Sequence, residues 1–354
     1  MWLETPVFKE DMEQIVRSDF IHWKRLDGKT VFITGATGLI GYYLTSALLY
    51  RNLTEGSGIR ILALVRSEEK ARAMYRAQLE TAEGQLQFIP GDLEAVPEIR
   101  EKVDYIIHGG GPTASRFFVE HPVETIRTAL SGTIEMLELG RKNHAEGMVY
   151  LSSMEVYGTN TEERKITERS PAFLDTMSAR NSYPESKRMC ENLCVSYFSE
   201  YKVPVNIIRL TQTFGPGVTA DDQRVFAQFM RSCISGEDIV LLTEGKTRRS
   251  YLYLADAATA ILAALLYDTY GEAYNAANED TYCSIKEMAE MAAEELGGGR
   301  VQVRVQPTGE DWTKAYLPTA YTDLETKKLK QLGWRCRTEL KEIFRRTAAC
   351  WNER

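Results

Sequence analysis

Tyr183 and Lys187 stand four residues apart in Asn181-Ser-Tyr-Pro-Glu-Ser-Lys187. On a helix, positions i and i+4 share a face, so a phenol and an ammonium at that spacing lean toward one site. A cation beside a phenol favours the phenolate and is expected to pull its pKa down from about 10. Tyrosine then becomes a base usable near neutral pH. Among 18 tyrosines the spacing alone carries little weight, so it matters what else accompanies it. Far upstream, Thr30-Val-Phe-Ile-Thr34 is a short apolar, β-branched run leading into Gly35-Ala-Thr37-Gly38-Leu39-Ile40-Gly41, after which Tyr42 to Arg51 reads as a helix. Strand, glycine turn and helix in that order let the backbone approach a pyrophosphate closely, and the helix N-terminus favours its charge. The spacing here is Gly-x-x-Gly-x-x-Gly.

A third motif is Met148-Val-Tyr-Leu-Ser-Ser153-Met-Glu155-Val-Tyr157-Gly158, and later come Arg209-Leu-Thr-Gln-Thr-Phe-Gly-Pro216 and the stretch from Asp323 to Trp334. With these motifs in order, the chain from about Lys29 to its C-terminus resembles the extended short-chain dehydrogenase/reductases that remodel nucleotide sugars. Within them it is most similar to UDP-glucuronate decarboxylases. That likeness rests on His108-Gly-Gly-Gly-Pro112-Thr-Ala-Ser115 with His121-Pro122, on Arg180 three before Tyr183, on Glu155, and on Arg249 seven before Asp256.

The resemblance implies a division of labour. Tyr183 takes the proton of a sugar hydroxyl, at C4, while hydride passes to a nicotinamide; Lys187 also holds the nicotinamide ribose, and Ser153 hydrogen-bonds the same sugar oxygen. Cofactor contacts are expected from Gly35, Thr37, Gly38, Leu39, Ile40, Gly41, Arg66, Asp92, Leu93 and Gly109, together with Tyr183 and Lys187. Substrate contacts are expected from Pro112, Arg180, Gln212, Arg224 and Arg249. The implied cofactor is NAD+, which a self-recycling enzyme must retain. Arg66 leaves NADP+ open, because it stands where an acidic residue usually holds the ribose 2′-OH.

The residues around C5 and C6 of the sugar decide the fate of the 4-ketosugar. Dehydratases of the family carry an Asp-Glu pair where this chain has Met154-Glu155, and a thioether has no proton for a leaving hydroxyl. Simple 4-epimerases generally lack a carboxyl at the Glu155 position. A β-keto acid loses carbon dioxide with less help, and Arg249 is suited to grip its carboxylate in a bidentate fork. Decarboxylation of a nucleotide hexuronate is therefore the expected reaction, ahead of 4-epimerisation and 4,6-dehydration. Met154, Gln212 and Ala320 depart from the decarboxylase pattern and leave the sugar and the base open. Read without the family, Glu155 at a strand end is a solvated carboxylate and the Lys246-Thr-Arg-Arg249 cluster a phosphate-facing patch. A non-enzymatic dinucleotide sensor is the remaining alternative, disfavoured by an intact Ser153, Tyr183 and Lys187.

These groups need a scaffold. Apolar runs at 59–65, 86–90, 105–108, 148–151 and 205–210 alternate with helical stretches such as 123–141 and 186–201, which argues a doubly wound parallel α/β sheet. By resemblance it is Rossmann-like, spanning 29–214 with 250–268 returning to it. Segments 215–249 and 269–354 are expected to form a smaller, mostly C-terminal α/β substrate domain, and 1–28 an added helical arm. A chain of 354 residues, 44% hydrophobic, can bury such a core. A net charge of −7 spread along the chain and the lack of a long apolar run predict neither a nucleic-acid nor a membrane partner. The six cysteines and four histidines show no ligand spacing, so no metal is expected. A cytoplasmic homodimer, paired through the 123–141 and 186–201 helices, completes the expectation.

Overall fold

The computed structural model describes residues 4–306 and 319–351. Parts of the expected arm and substrate domain, 1–3, 307–318 and 352–354, lie outside the described residues.

Seven parallel strands form the main sheet. Their spatial order is Ala273–Ala276, Val205–Leu210, Gly147–Ser153, Tyr105–His108, Thr30–Thr34, Arg60–Val65 and Leu86–Pro90. The order reverses between Thr30–Thr34 and Tyr105–His108, and a crevice opens at the carboxyl ends of strands at such a switch point. Side chains alternate across the sheet: Val31 and Ile33 join one core and Phe32 the other. Met136, Leu137, Cys190 and Cys194, from helices Pro122–Asn143 and Ser182–Tyr201, cover the Phe32 face.

On the opposite face lie helices Leu39–Glu55 and Leu254–Leu266. Every residue of Leu254–Leu266 is buried, which requires cover on its outer side as well. Helix Pro6–Val16 supplies it: Phe8, Met12 and Ile15 are fully buried in the same core. The segment expected as an added arm is thus part of the main hydrophobic core. Its Asp11 is buried too, accepting from Tyr43 Oη at 2.9 Å and Tyr253 Oη at 2.7 Å, and pairing with Arg346 Nη2 at 2.9 Å.

The expected boundary at 268 falls short. Strand Ala273–Ala276 hydrogen-bonds alongside Val205–Leu210, so the chain stays with the main sheet past 268. Conversely, Arg248–Tyr253 belongs to a second, smaller mixed sheet, running parallel to Gln212–Phe214 and Tyr321–Leu324 and antiparallel to Asn278–Ser284. Arg249 rides on that strand. No helix among the described residues is long and apolar enough to cross a membrane.

Candidate active site

The glycine turn is built as its residues demand. Gly35 has φ +77° and lies against Gly109, so a Cβ there would meet the Gly109 carbonyl carbon at 2.8 Å; one on Gly41 would meet Gly35 O at 2.0 Å. Only glycine fits either place. Gly38 precedes helix Leu39–Glu55, whose first turn carries Leu39, Ile40 and Gly41, and Thr37 is exposed beside it. Thr37, Gly38, Leu39 and Ile40 therefore rim the crevice at a helix N-terminus, a setting made for a diphosphate. Arg66 is exposed at the end of strand Arg60–Val65. Asp92 is exposed just past strand Leu86–Pro90 and accepts the Glu94 N–H, while Leu93 packs near Gly110 and Gly132.

A one-directional chain of hydrogen bonds fixes the opposing Gly109–Gly111 turn. Gly110 N donates to Thr34 Oγ1 at 2.9 Å, and Thr34 Oγ1 lies 2.8 Å from His108 Nδ1. His108 Nε2 lies 3.2 Å from Thr133 Oγ1, which donates to Ala129 O at 2.8 Å. Thr133 spends its only proton on Ala129 O, so it accepts from Nε2–H, and in the neutral ring Nδ1 is then the acceptor for the Thr34 hydroxyl. The ring is therefore a neutral Nε2–H tautomer. Burial, with Lys187 adding repulsion, pushes its pKa down to about 3.

Helix Ser182–Tyr201 presents Tyr183 and Lys187 to this crevice, and both line one cavity with His108, Gly109, Pro112 and Thr113. Lys187 Nζ donates to Leu151 O at 2.7 Å and sits 4.6 Å from the centre of the Tyr150 ring and 5.7 Å from that of Tyr183. The expected depression of the phenol pKa is not found here. Burial pushes Tyr183 well above its ordinary value, and the Glu155 charge adds to this; only hydrogen bonding from Ser153 acts the other way. The reason is that desolvation outweighs a cation already engaged by a carbonyl, and burial holds Lys187 itself below the usual lysine value. The oxidised nicotinamide ring is cationic, so these residues fit a bound cofactor that supplies the missing positive charge.

Ser153 ends strand Gly147–Ser153 and caps the single turn Met154–Tyr157, its Oγ accepting the Glu155 N–H at 3.2 Å. Its own proton is then free for the phenol or a sugar oxygen. Glu155 is reached by water from the cleft yet crowded by protein at its sides, and this crowding raises its pKa against the pull of Arg249 and Arg180. Because water reaches it, only the direction of that shift carries weight. Arg180 is exposed in the turn Ala179–Asn181 directly before the catalytic helix. Arg249 is half-buried, forms no ion pair among the described residues, and its Nε is enclosed without a hydrogen-bond partner. Met154 leans on the small cluster of Ala277 and Leu324, with Thr211 Oγ1 3.4 Å from its sulfur. Gln212 is half-buried on the strand beside Tyr251. Arg224 is exposed, paired with Asp222 at 2.6 Å and stacked over Phe226. Among the described residues no His, Cys, Asp or Glu cluster could hold a metal.

Two features escaped the sequence reading. Glu191, one turn beyond Lys187, grips Arg209 in a fork (2.9 and 2.6 Å) and accepts from Ser152 Oγ at 2.6 Å. Arg209 in turn donates to Tyr157 Oη at 2.8 Å, and Tyr157 to Asn275 Oδ1 at 2.6 Å. Continuing the four-residue spacing past Lys187 would have found Glu191. Phe118 stacks on Tyr183, ring centres 4.2 Å apart and planes 5° from parallel; nothing in the sequence signals it.

A switch-point crevice, a glycine turn and a Ser-Tyr-Lys constellation define a dinucleotide-dependent enzyme of the short-chain dehydrogenase/reductase kind. The NAD dependent epimerase/dehydratase family model matches residues 31–277, and the chain belongs to that family. It is 26% identical over 321 residues to UDP-glucuronic acid decarboxylase 1 of Xenopus tropicalis, covering 91% of this chain and 72% of that protein. Among solved structures, an epimerase from Methanothermobacter thermautotrophicus superposes with a TM-score of 0.76 at 22% identity, covering 95% of each chain. UDP-glucuronic acid 4-epimerase from Bacillus cereus, in complex with NAD, gives a TM-score of 0.72 at 18% identity over 91% of this chain and 98% of that one. These two likenesses establish the shared fold.

Proposed function

We propose that this protein decarboxylates a nucleotide-linked hexuronate through a 4-keto intermediate, with a retained NAD+. The observation that carries the reading is Arg249: a half-buried guanidinium with an enclosed, partnerless Nε and no ion pair among the described residues, facing Glu155 together with Arg180. An enclosed guanidinium nitrogen without a hydrogen-bond partner is costly, which suits this side chain to an incoming anion. The bound nicotinamide supplies hydride acceptance from C4 and its later return. Tyr183 takes the O4 proton, with Ser153 donating to the same oxygen. Arg249 holds the C6 carboxylate. The C5–C6 bond then breaks, carbon dioxide leaves, and its electron pair moves into the C4 ketone as an enolate. Glu155, its pKa raised, delivers a proton to C5 directly or through water, and Tyr183 returns its proton to O4.

The decarboxylases among the relatives support this reading. Met154 in its apolar seat speaks against a 4,6-dehydratase, which needs an acid there. Mass spectrometry after incubation with UDP-, GDP-, CDP- and dTDP-linked hexoses and hexuronates tests it. The expected product is a pentose lighter by carbon dioxide from one uronate. A 4-keto-6-deoxy product from a neutral hexose, or a product of unchanged mass, would remove the decarboxylase reading.

A further inference from the structure

Phe118 belongs to the short helix Ser115–Glu120 and is its one buried residue. Its ring lies over Tyr183 at 4.2 Å and 5°, the most nearly parallel aromatic pair among the described residues. The two elements are also tied by backbone, since Ser182 Oγ donates to Phe118 O at 3.3 Å. Lys187 Nζ lies 5.7 Å from the centre of the Tyr183 ring and Ser153 hydrogen-bonds the phenol, so a charged group, a hydroxyl and an apolar plate all meet at this side chain.

We propose that Phe118 is a positioning residue for the catalytic base: its ring clamps the Tyr183 ring in one orientation and keeps water off one of its faces. The reasoning is electrostatic as well as steric. Aromatic faces carry negative charge density, so a near-parallel stack is neutral toward a phenol and unfavourable toward a phenolate. Water excluded from the same face cannot stabilise the anion. Burial, the leading cause of the raised Tyr183 pKa, includes this plate. Phe118 therefore opposes ionisation of the base, an effect that the positive charge of a bound oxidised cofactor would offset. It does so while keeping the oxygen aimed at the sugar.

The inference rests on Tyr183 as the base and not on which sugar is turned over. The experiment therefore uses whichever nucleotide sugar the panel shows to react. Phe118→Leu keeps the bulk and removes the ring; Phe118→Tyr restores a ring. Each is compared with the parent chain in the pH dependence of kcat and kcat/KM from about pH 5.5 to about 9.5, with NAD+ affinity and thermal midpoint measured alongside. In Phe118→Leu the rise of kcat/KM with pH should shift about one unit toward lower pH, with the plateau kcat about tenfold lower. NAD+ affinity should stay within about twofold, and Phe118→Tyr should recover both limb and plateau. A lower kcat with an unmoved limb would mean a packing role alone, and an unchanged profile would mean no role; either overturns the proposal. Turnover of a neutral hexose in place of a uronate would unseat the decarboxylase reading and leave this one intact.

Discussion

At the scale of single residues the site separates groups that make bonds from groups that hold charge. We propose Tyr183, with Ser153 hydrogen-bonded to it, as the base, and the backbone of Gly35, Gly38 and Gly41 as the part that meets the pyrophosphate. Tyr183→Phe is therefore expected to lower turnover at least about a thousandfold while leaving NAD+ bound, measured by cofactor fluorescence and product formation. Near-full activity in that variant would void the catalytic assignment. Arg249 is expected to discriminate by charge. Removing one partner of a desolvated, hydrogen-bonded ion pair costs about 2–5 kcal/mol. Arg249→Ala should thus weaken a nucleotide uronate by roughly that amount and the matching neutral hexose by less than about 1 kcal/mol. Calorimetric titration of both ligands decides it; equal losses would show that Arg249 meets a phosphate common to both.

Elements fix these residues through buried polar connections more than through loops. The Thr34–His108–Thr133 chain pins the turn Gly109–Gly111 to the first strand and to helix Pro122–Asn143. With a folded pKa of about 3 against about 6.5 unfolded, His108 contributes stability that is fully present above about pH 6.5 and is lost as pH falls through the window down to about 3. Within it the slope from this group approaches about 1.4 kcal/mol per pH unit. Urea midpoints at about pH 5, 6 and 7 should fall on acidification in the parent chain. His108→Gln should start less stable at neutral pH but fall less steeply; parallel slopes would assign the acid sensitivity elsewhere. The same elements show what a sequence reveals. The glycine turn and the Tyr-x-x-x-Lys pair are readable because local geometry dictates residue type and spacing there. Phe118 on Tyr183, Asp222 on Arg224 and the carbonyl on Lys187 are not, because each joins segments whose approach only the tertiary fold creates. The expected fall of the Tyr183 pKa fails for the same reason: spacing reports a nearby cation but not the burial that outweighs it.

For the molecule as a whole, the two helices that cover the Phe32 face leave an apolar stripe outward. Val123, Ile126 and Ile134 on Pro122–Asn143, and Met189 and Val195 on Ser182–Tyr201, are between 38% and 62% exposed. We propose these exposed apolar side chains as an interaction surface, which a symmetric pairing of the two helices would bury. The chain is expected to run as a dimer in light scattering, at twice its 40.2 kDa mass, and Ile126→Glu with Met189→Glu to run as a monomer. A monomer at micromolar concentration in the parent chain would sink this.

The Asp11–Arg346 contact bears on how the molecule comes into being. Its partners are 335 residues apart, and Asp11 sits in the helix that roofs Leu254–Leu266. During synthesis at about 5–20 residues per second, helix Pro6–Val16 meets Leu39–Glu55 within about ten seconds, where Phe8 packs on Tyr42 and Tyr43, but waits on the order of tens of seconds for Leu254–Leu266 and for its counter-charge. The glycine turn and the Tyr183–Lys187 pair are encoded before residue 211, yet Asp11 stays without its counter-charge until helix Leu340–Ala349 emerges. Assembly is therefore expected to close late and all at once. Chains halted on the ribosome at residue 300 should leave Pro6–Val16 open to protease, and chains released at full length should protect it; protection at 300 would show that the roof forms without its counter-charge.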